Sequence, residues 1–200
     1  MKKVILFVLY SFLLPPFVFG GVKPGDKAIP FTLLNVDGRT VSLSDYSNQK
    51  GVILIFTCNT CPFTKAYEER IIQLHNTYLS MGFPVVAINS NNPQISPDDS
   101  YSHMKARALE KNYSFPYLKD DKEEIFKAYG ATRTPQAYLL EKNGDSFRVA
   151  YMGAIDDNSL DPRSVANRYL EKAIRALREG KRPDPATTRA IGCTIKTEGN

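Results

Sequence analysis

The chain has 200 residues, 42% hydrophobic and 24% charged, with 26 Lys and Arg against 21 Asp and Glu for a net charge of +5. This is a globular composition long enough to bury a core without disulfide staples, which sets aside the very small secreted scaffold and the disordered segment. Two of the five excess charges are Lys2 and Lys3, the other basic residues are interleaved with acids, and no basic run alternates with aromatics, so the reading is no nucleic acid partner.

Residues 1–20 open with Lys2 and Lys3 and continue as an apolar stretch, with Val18-Phe19-Gly20 at the usual cleavage positions. This is the pattern of a secretory signal peptide. Pro15-Pro16 interrupts the run, and Val4 to Phe19 is short for a span of about 20 residues. The expectation is therefore cleavage before Gly21, export to the periplasm or beyond the cell, and no stable membrane insertion afterwards. An uncleaved N-terminal anchor is the alternative.

Phe31–Asn35 and Thr40–Leu43 flank Val36-Asp37-Gly38-Arg39, a hairpin signal. Val52–Phe56 is continuously apolar and β-branched, as in a strand covered on both faces. Apolar residues at Phe63, Ala66, Tyr67, Ile71, Leu74, Tyr78 and Met81 recur at helical spacing, and Gly82 supplies the stop. Pro84–Asn89 reads as a second buried strand. Asp98–Lys111 predicts a helix and Glu123–Tyr129 a shorter one, ended by Gly130. Ala137–Leu140 and Arg148–Tyr151 flank a turn at Asn143-Gly144. Arg163 or Ser164 to Arg178 predicts a long amphipathic helix, stopped by Gly180 and Pro183. The expected organisation is a signal peptide at 1–20, one α/β domain at 21–180 and a polar tail at 181–200.

The chain has only three cysteines, and Cys58 and Cys61 stand two residues apart between a strand and a helix. A structural zinc site needs four ligands, and only these two have ligand spacing. His75 and His103 read as surface or boundary residues, so no metal and no cofactor is expected. The redox reading has a physical basis. Thiolate, not thiol, attacks a disulfide, and the unpaired N–H groups and dipole of a helix N-terminus favour it. A second cysteine one turn along can then release the product. C-x-x-C at a strand-to-helix junction is a thioredoxin-like signal. Thr134-Pro135 precedes the Ala137 strand, where a thioredoxin-type site has a cis-proline that receives an extended substrate segment.

The segments FTCNTCPFTKAYEERI (56–71), VVAINSNN (85–92), FPYLKDD (115–121), AYGATRTPQAYLLEKNG (128–144), YMGAIDD (151–157) and IGCTIK (191–196) resemble the redoxin branch of the thioredoxin-like superfamily. That branch is related to alkyl hydroperoxide reductase and thiol-specific antioxidant (AhpC/TSA) proteins. The resemblance implies an α/β thioredoxin-like fold. Its central mixed β-sheet is flanked by helices and extended by the N-terminal β-hairpin, with the redox site at the start of the first long helix. Two departures stand out. Relatives often carry His where this chain has Thr60. They can also carry a cysteine where it has Arg133, so no bond between that position and Cys193 can form here. Cys193, on a tail that reads as mobile, is expected to be an unengaged thiol.

The leading functional reading is an exported thiol–disulfide oxidoreductase. Cys58 attacks as the more exposed thiol, Cys61 resolves from the first helical turn, and Thr134 and Pro135 position the substrate. Its partners are protein or small-molecule thiols and disulfides and an unidentified redox protein. The alternative is a peroxidase reacting through Cys61, since Cys61-Pro62 resembles the peroxiredoxin pattern. Thr57 and Arg133 are then candidate accessory residues, although Cys58 stands where the peroxidase needs a hydroxyl. A third reading is a non-catalytic thioredoxin-fold binding module.

Overall fold

A computed structural model describes residues 20–198, so the apolar part of the expected signal peptide lies outside the described residues. The strands are β1 Thr32–Asn35, β2 Thr40–Ser42, β3 Gly51–Thr57, β4 Val85–Asn89, β5 Tyr117–Lys119, β6 Arg133–Thr134, β7 Gln136–Asn143, β8 Ser146–Gly153 and β9 Cys193–Thr194. The α-helices are α1 Pro62–Tyr78, α2 Tyr101–Glu110, α3 Ile125–Tyr129 and α4 Tyr169–Arg178. Seven strands form one mixed sheet in the order β2-β1-β5-β4-β3-β7-β8, with β3, β4 and β5 parallel and the other pairs antiparallel. β6 and β9 form a separate two-stranded ribbon.

The two-residue period of a strand divides the core. Ile53 and Ile55 of β3, with Val85 and Ala87 of β4, face Tyr67, Ile71 and Leu74 of α1, Met104 of α2 and Ile174 of α4. Val52, Leu54 and Phe56, with Val86 and Ile88, face Val22, Phe31, Phe126 and Tyr129. Both faces of β3 are therefore covered, which is why its sequence lacks polar alternation. The hairpin β1–β2 joins the sheet through β5, as the N-terminal extension was expected to do.

Three elements differ from the sequence expectation. β5 has only three residues, too few for a period to register, and its pairing with β1 and β4 comes from the sheet. α4 begins at Tyr169, not near Arg163. Asp161 caps a single 3-10 turn at Pro162–Ser164, and Asp157 accepts bonds from Ala166 N and Asn167 Nδ2 that hold the chain off the helical path. The tail is packed, not free. Thr187 bridges Met152, β9 pairs with β6, and Ile195 is buried among the β3-side apolar cluster. Burying one isoleucine of this kind stabilises the docked tail by about 1.5–3 kcal/mol.

Candidate redox site

β3 ends at Thr57, and Cys58, Asn59 and Thr60 carry the chain to Cys61, the N-cap of α1. Pro62 occupies the first helical position, where its missing N–H costs nothing and its fixed φ suits the helix. Thr64, one turn in, is fully buried. Its Oγ1 lies 2.8 Å from the carbonyl oxygens of both Cys58 and Cys61 and donates its one proton between them. The hydroxyl thus ties the cysteine loop back to the helix it introduces.

A buried carboxylate holds the loop from the other side. Asp99 accepts from the Asn59 amide at 2.6 Å, Thr60 Oγ1 at 2.9 Å, Ser96 Oγ at 2.6 Å, and the side-chain amides of Asn91 and Asn89 at 2.8 and 2.9 Å. Burial pushes this carboxyl up. The bonds from Asn91, Ser96, Asn59 and Asn89 outweigh burial and leave its pKa below the ordinary 3.8. Tyr117, also buried, donates to Asn59 Oδ1 at 2.9 Å, and burial raises its hydroxyl far above the ordinary range, so it stays a donor.

The Thr134–Pro135 peptide is cis. Thr134 stands against both cysteines of the motif. Its Oγ1 is 3.3 Å from Cys58 Sγ, and its carbonyl oxygen is 3.3 Å from Cys61 Sγ. Pro135 lies next in chain, leading into β7. The fold therefore brings Cys58, Cys61 and Thr134 together, with Pro135 next in the chain.

The bonding among the cysteines departs from expectation. Cys61 forms a disulfide with Cys193, 132 residues away, with Cα atoms 5.9 Å apart, and Cys58 is the free thiol. The unengaged tail thiol is thus replaced by a bonded one. Cys193 reaches Cys61 because β9 lies antiparallel on β6, with Cys193 opposite Thr134. The expected contrast in exposure is also absent, since Cys58 is 4% and Cys61 3% exposed. Cys58 sinks because β3 is covered on both faces to its end. Pro62 starts the helix early enough to put Cys61, not Cys58, at its N-terminus.

Thr57 is buried at the end of β3, opposite Asn89 of β4. Arg133 is exposed and its Nη1 donates to Thr194 Oγ1 at 2.8 Å, so it clamps β9 and does not face the cysteines. His75, read as a surface or boundary residue, is buried. Its Nδ1 accepts from the Val85 amide at 3.2 Å, and burial lowers its pKa, keeping the ring neutral. Among the described residues no cluster of three or more His, Cys, Asp or Glu is disposed to hold a metal. Asp99, Asn59, Thr64 and Tyr117 were missed as site residues. Their polarity carried no period, and only the resemblance segments around Asn59, Asn89 and Tyr117 hinted at them.

Residues 24–146 match the AhpC/TSA family. The chain belongs to that family. A conserved protein from Geobacillus kaustophilus, solved as a crystal structure and described as uncharacterized, is 36% identical with a TM-score of 0.81, covering 88% of this chain and 93% of its own. The thiol-disulfide oxidoreductase ResA of Geobacillus thermodenitrificans is 28% identical over 62% of this chain and 66% of its own length. Peroxiredoxin Q, chloroplastic, of Oryza sativa subsp. japonica is 29% identical over 64% of this chain and 58% of its own. The chain thus spans about two thirds or less of these two curated relatives. The AhpC/TSA match stops before α4 and the tail, so it does not cover Cys193.

Proposed function

We propose that the protein is an exported thiol–disulfide oxidoreductase in which Cys61 is the exchanging cysteine and Cys58 its partner within the motif. One observation carries the reading. Cys61, at the N-cap of a 17-residue helix, is already joined to a cysteine delivered on a strand that pairs beside Pro135. That is the arrangement a mixed disulfide with a substrate segment needs. A Cys61 thiolate, once formed, sits at the N-cap of α1, where the positive end of the helix favours it as the attacking species.

Cys58 supplies the internal step. Both its sulfur and that of Cys61 touch Thr134. The Cys58 thiol gives up its proton and attacks Cys61 Sγ. The S–S bond to Cys193 breaks, and Cys193 leaves with the electron pair and takes a proton. One disulfide is exchanged for another with no outside oxidant. This reverses the roles expected for the two motif cysteines.

Cys61-Pro62 at the helix start also supports the peroxidase reading, in which Cys61 attacks a peroxide and Cys193 resolves it. Arg133, pointed at Thr194, does not favour it. The test is disulfide reduction and peroxide consumption by single Cys→Ser variants. Cys61→Ser is expected to abolish exchange, while Cys58→Ser still forms an adduct at Cys61. Peroxide turnover that survives Cys58→Ser and outpaces disulfide exchange would replace the proposal with the peroxidase. Export rests on residues 1–20 and is checked by the mass of the mature N-terminus, expected near Gly21. Among the described residues no helix is long and apolar enough to cross a membrane.

A further inference from the structure

The tail lies on β6 as an added antiparallel strand, Cys193 opposite Thr134 and Thr194 opposite Arg133. The receiving surface treats three positions of the strand differently. Before the cysteine, a Cβ on Gly192 would run into the Thr134 carbonyl and stand 3.2 Å from Pro135 N, against backbone that cannot yield. After it, Thr194 is exposed and its hydroxyl accepts from the Arg133 guanidinium. Two after it, Ile195 is buried in the cluster that holds Phe56, Phe126 and Tyr129. Bonds to the backbone of Lys196 complete the seat. Lys196 N donates to Asn91 Oδ1 at 2.9 Å, and Asn92 N donates to the Lys196 carbonyl at 2.7 Å. One excluded side chain, one outward residue and one apolar anchor, on backbone pairing, make a strand-addition site with a sequence rule.

We propose that the segment a partner lays on the β6 edge carries glycine before the reacting cysteine and an aliphatic residue two after it, and that Gly192–Ile195 is a tethered occupant of that edge that leaves when the Cys61–Cys193 bond opens. The proposal rests on exchange at Cys61. Opening follows the balanced step above, or the same step with an incoming thiolate in place of Cys58. The partner segment then pairs with the β6 residues the tail has left. Exchange at Cys61 joins its cysteine where Cys193 was.

The test uses two full-length reduced variants, Cys193→Ser and Gly192→Val/Cys193→Ser, both carrying Cys58→Ser so that an adduct at Cys61 is not resolved. The first keeps a tail that can still dock without bonding, and the second adds a branched side chain against the Thr134 carbonyl. The probes are the peptide of residues 190–196, its cysteine activated as a mixed disulfide with 2-nitro-5-thiobenzoate, and the same peptide with valine for glycine. Free 5,5′-dithiobis(2-nitrobenzoate) is the small-disulfide control, and adducts are located by digestion and mass spectrometry. The glycine peptide is expected to modify Cys61 at least about tenfold faster than the valine peptide, and about tenfold faster in the double variant than in Cys193→Ser. Equal rates for the two peptides, with the control reagent reacting normally, overturn the docking rule alone. Equal rates in the two variants overturn the tethered occupant. A Cys61 inert to all three reagents overturns the exchange chemistry itself. The peptide comparison on Cys193→Ser stands even if the valine variant does not fold.

Discussion

Asp99→Ala removes the acceptor on which the cysteine loop is hung. Its carboxylate takes five hydrogen bonds, two from hydroxyls of Thr60 and Ser96 and three from N–H groups of Asn59, Asn89 and Asn91. The hydroxyls can turn to other acceptors, whereas the N–H groups are held in place, Asn59 and Asn89 by Asp98 and Tyr117 and the Asn91 side chain by Lys196 N. Each buried donor left unpaired costs about 1–3 kcal/mol, so three set a floor of about 3 kcal/mol, with water entry holding the loss to about 5. For a chain of this length that lowers Tm by about 6–12 °C at the floor. Asp99→Asn keeps the volume, and its amide can be met by the turned hydroxyls, so it should lose about half as much. Urea and thermal unfolding of the oxidised protein, followed by circular dichroism, give the numbers. The alkylation rate of Cys58 should rise in step as the loop loosens. Asp99→Ala within about 1 kcal/mol of the parent, with Cys58 alkylated no faster, would refute the claim that this carboxylate holds the site.

The same carboxylate sets an acid limit. Its folded pKa lies below the ordinary 3.8, so its contribution is complete above that value and is lost as the pH falls through the folded pKa. Stability measured against pH should therefore fall less steeply below 3.8 in Asp99→Asn than in the parent, and parallel curves would contradict the assignment. Asp156, unassigned by sequence, accepts from Tyr67 and pairs with Arg70 at 2.7 Å, with the two charged side chains only 3% and 9% exposed. Asp156→Ala strands the Arg70 charge and should cost about 3–5 kcal/mol in denaturant unfolding, and a loss under about 1 would show that the pair is not needed. Ile195→Ala should destabilise the oxidised protein by about 2–5 kcal/mol and speed reduction of Cys61–Cys193. Unchanged reduction would mean that the anchor does not hold the tail.

The sheet and the cysteine junction were legible because local pattern and global fold agree there. Val52–Phe56 has no polar residue and is covered on both faces, and Cys58 to Pro62 marks the strand-to-helix turn. Thr134-Pro135 was legible only through the family pattern, since a proline before a strand has many structural uses. What the sequence hid was interaction at a distance. Asp98-Asp99 reads as an ordinary helix start, and nothing local says that Asp99 turns inward to a loop forty residues earlier. β5 is too short to show a period. The tail, rich in polar residues, reads as loose because its packing rests on one buried aliphatic side chain, Ile195, on hydroxyl contacts such as Thr188 with Tyr151, and on edge pairing supplied by β6. For the same reason the partner of Cys61 was misjudged. The spacing of Cys58 and Cys61 is visible in sequence, whereas the fold brings Cys193 equally to the site.

Cys61 is the sulfur shared by the motif and the tail. Non-reducing digestion and mass spectrometry of the oxidised protein, after alkylation of free thiols, test it directly. The expected map contains the Cys61–Cys193 peptide pair with Cys58 alkylated, and brief exposure to substoichiometric thiol should bring up a Cys58–Cys61 peptide while Cys193 becomes alkylated. A Cys58–Cys193 pair, or a Cys61 that alkylates freely in the oxidised protein, would contradict it.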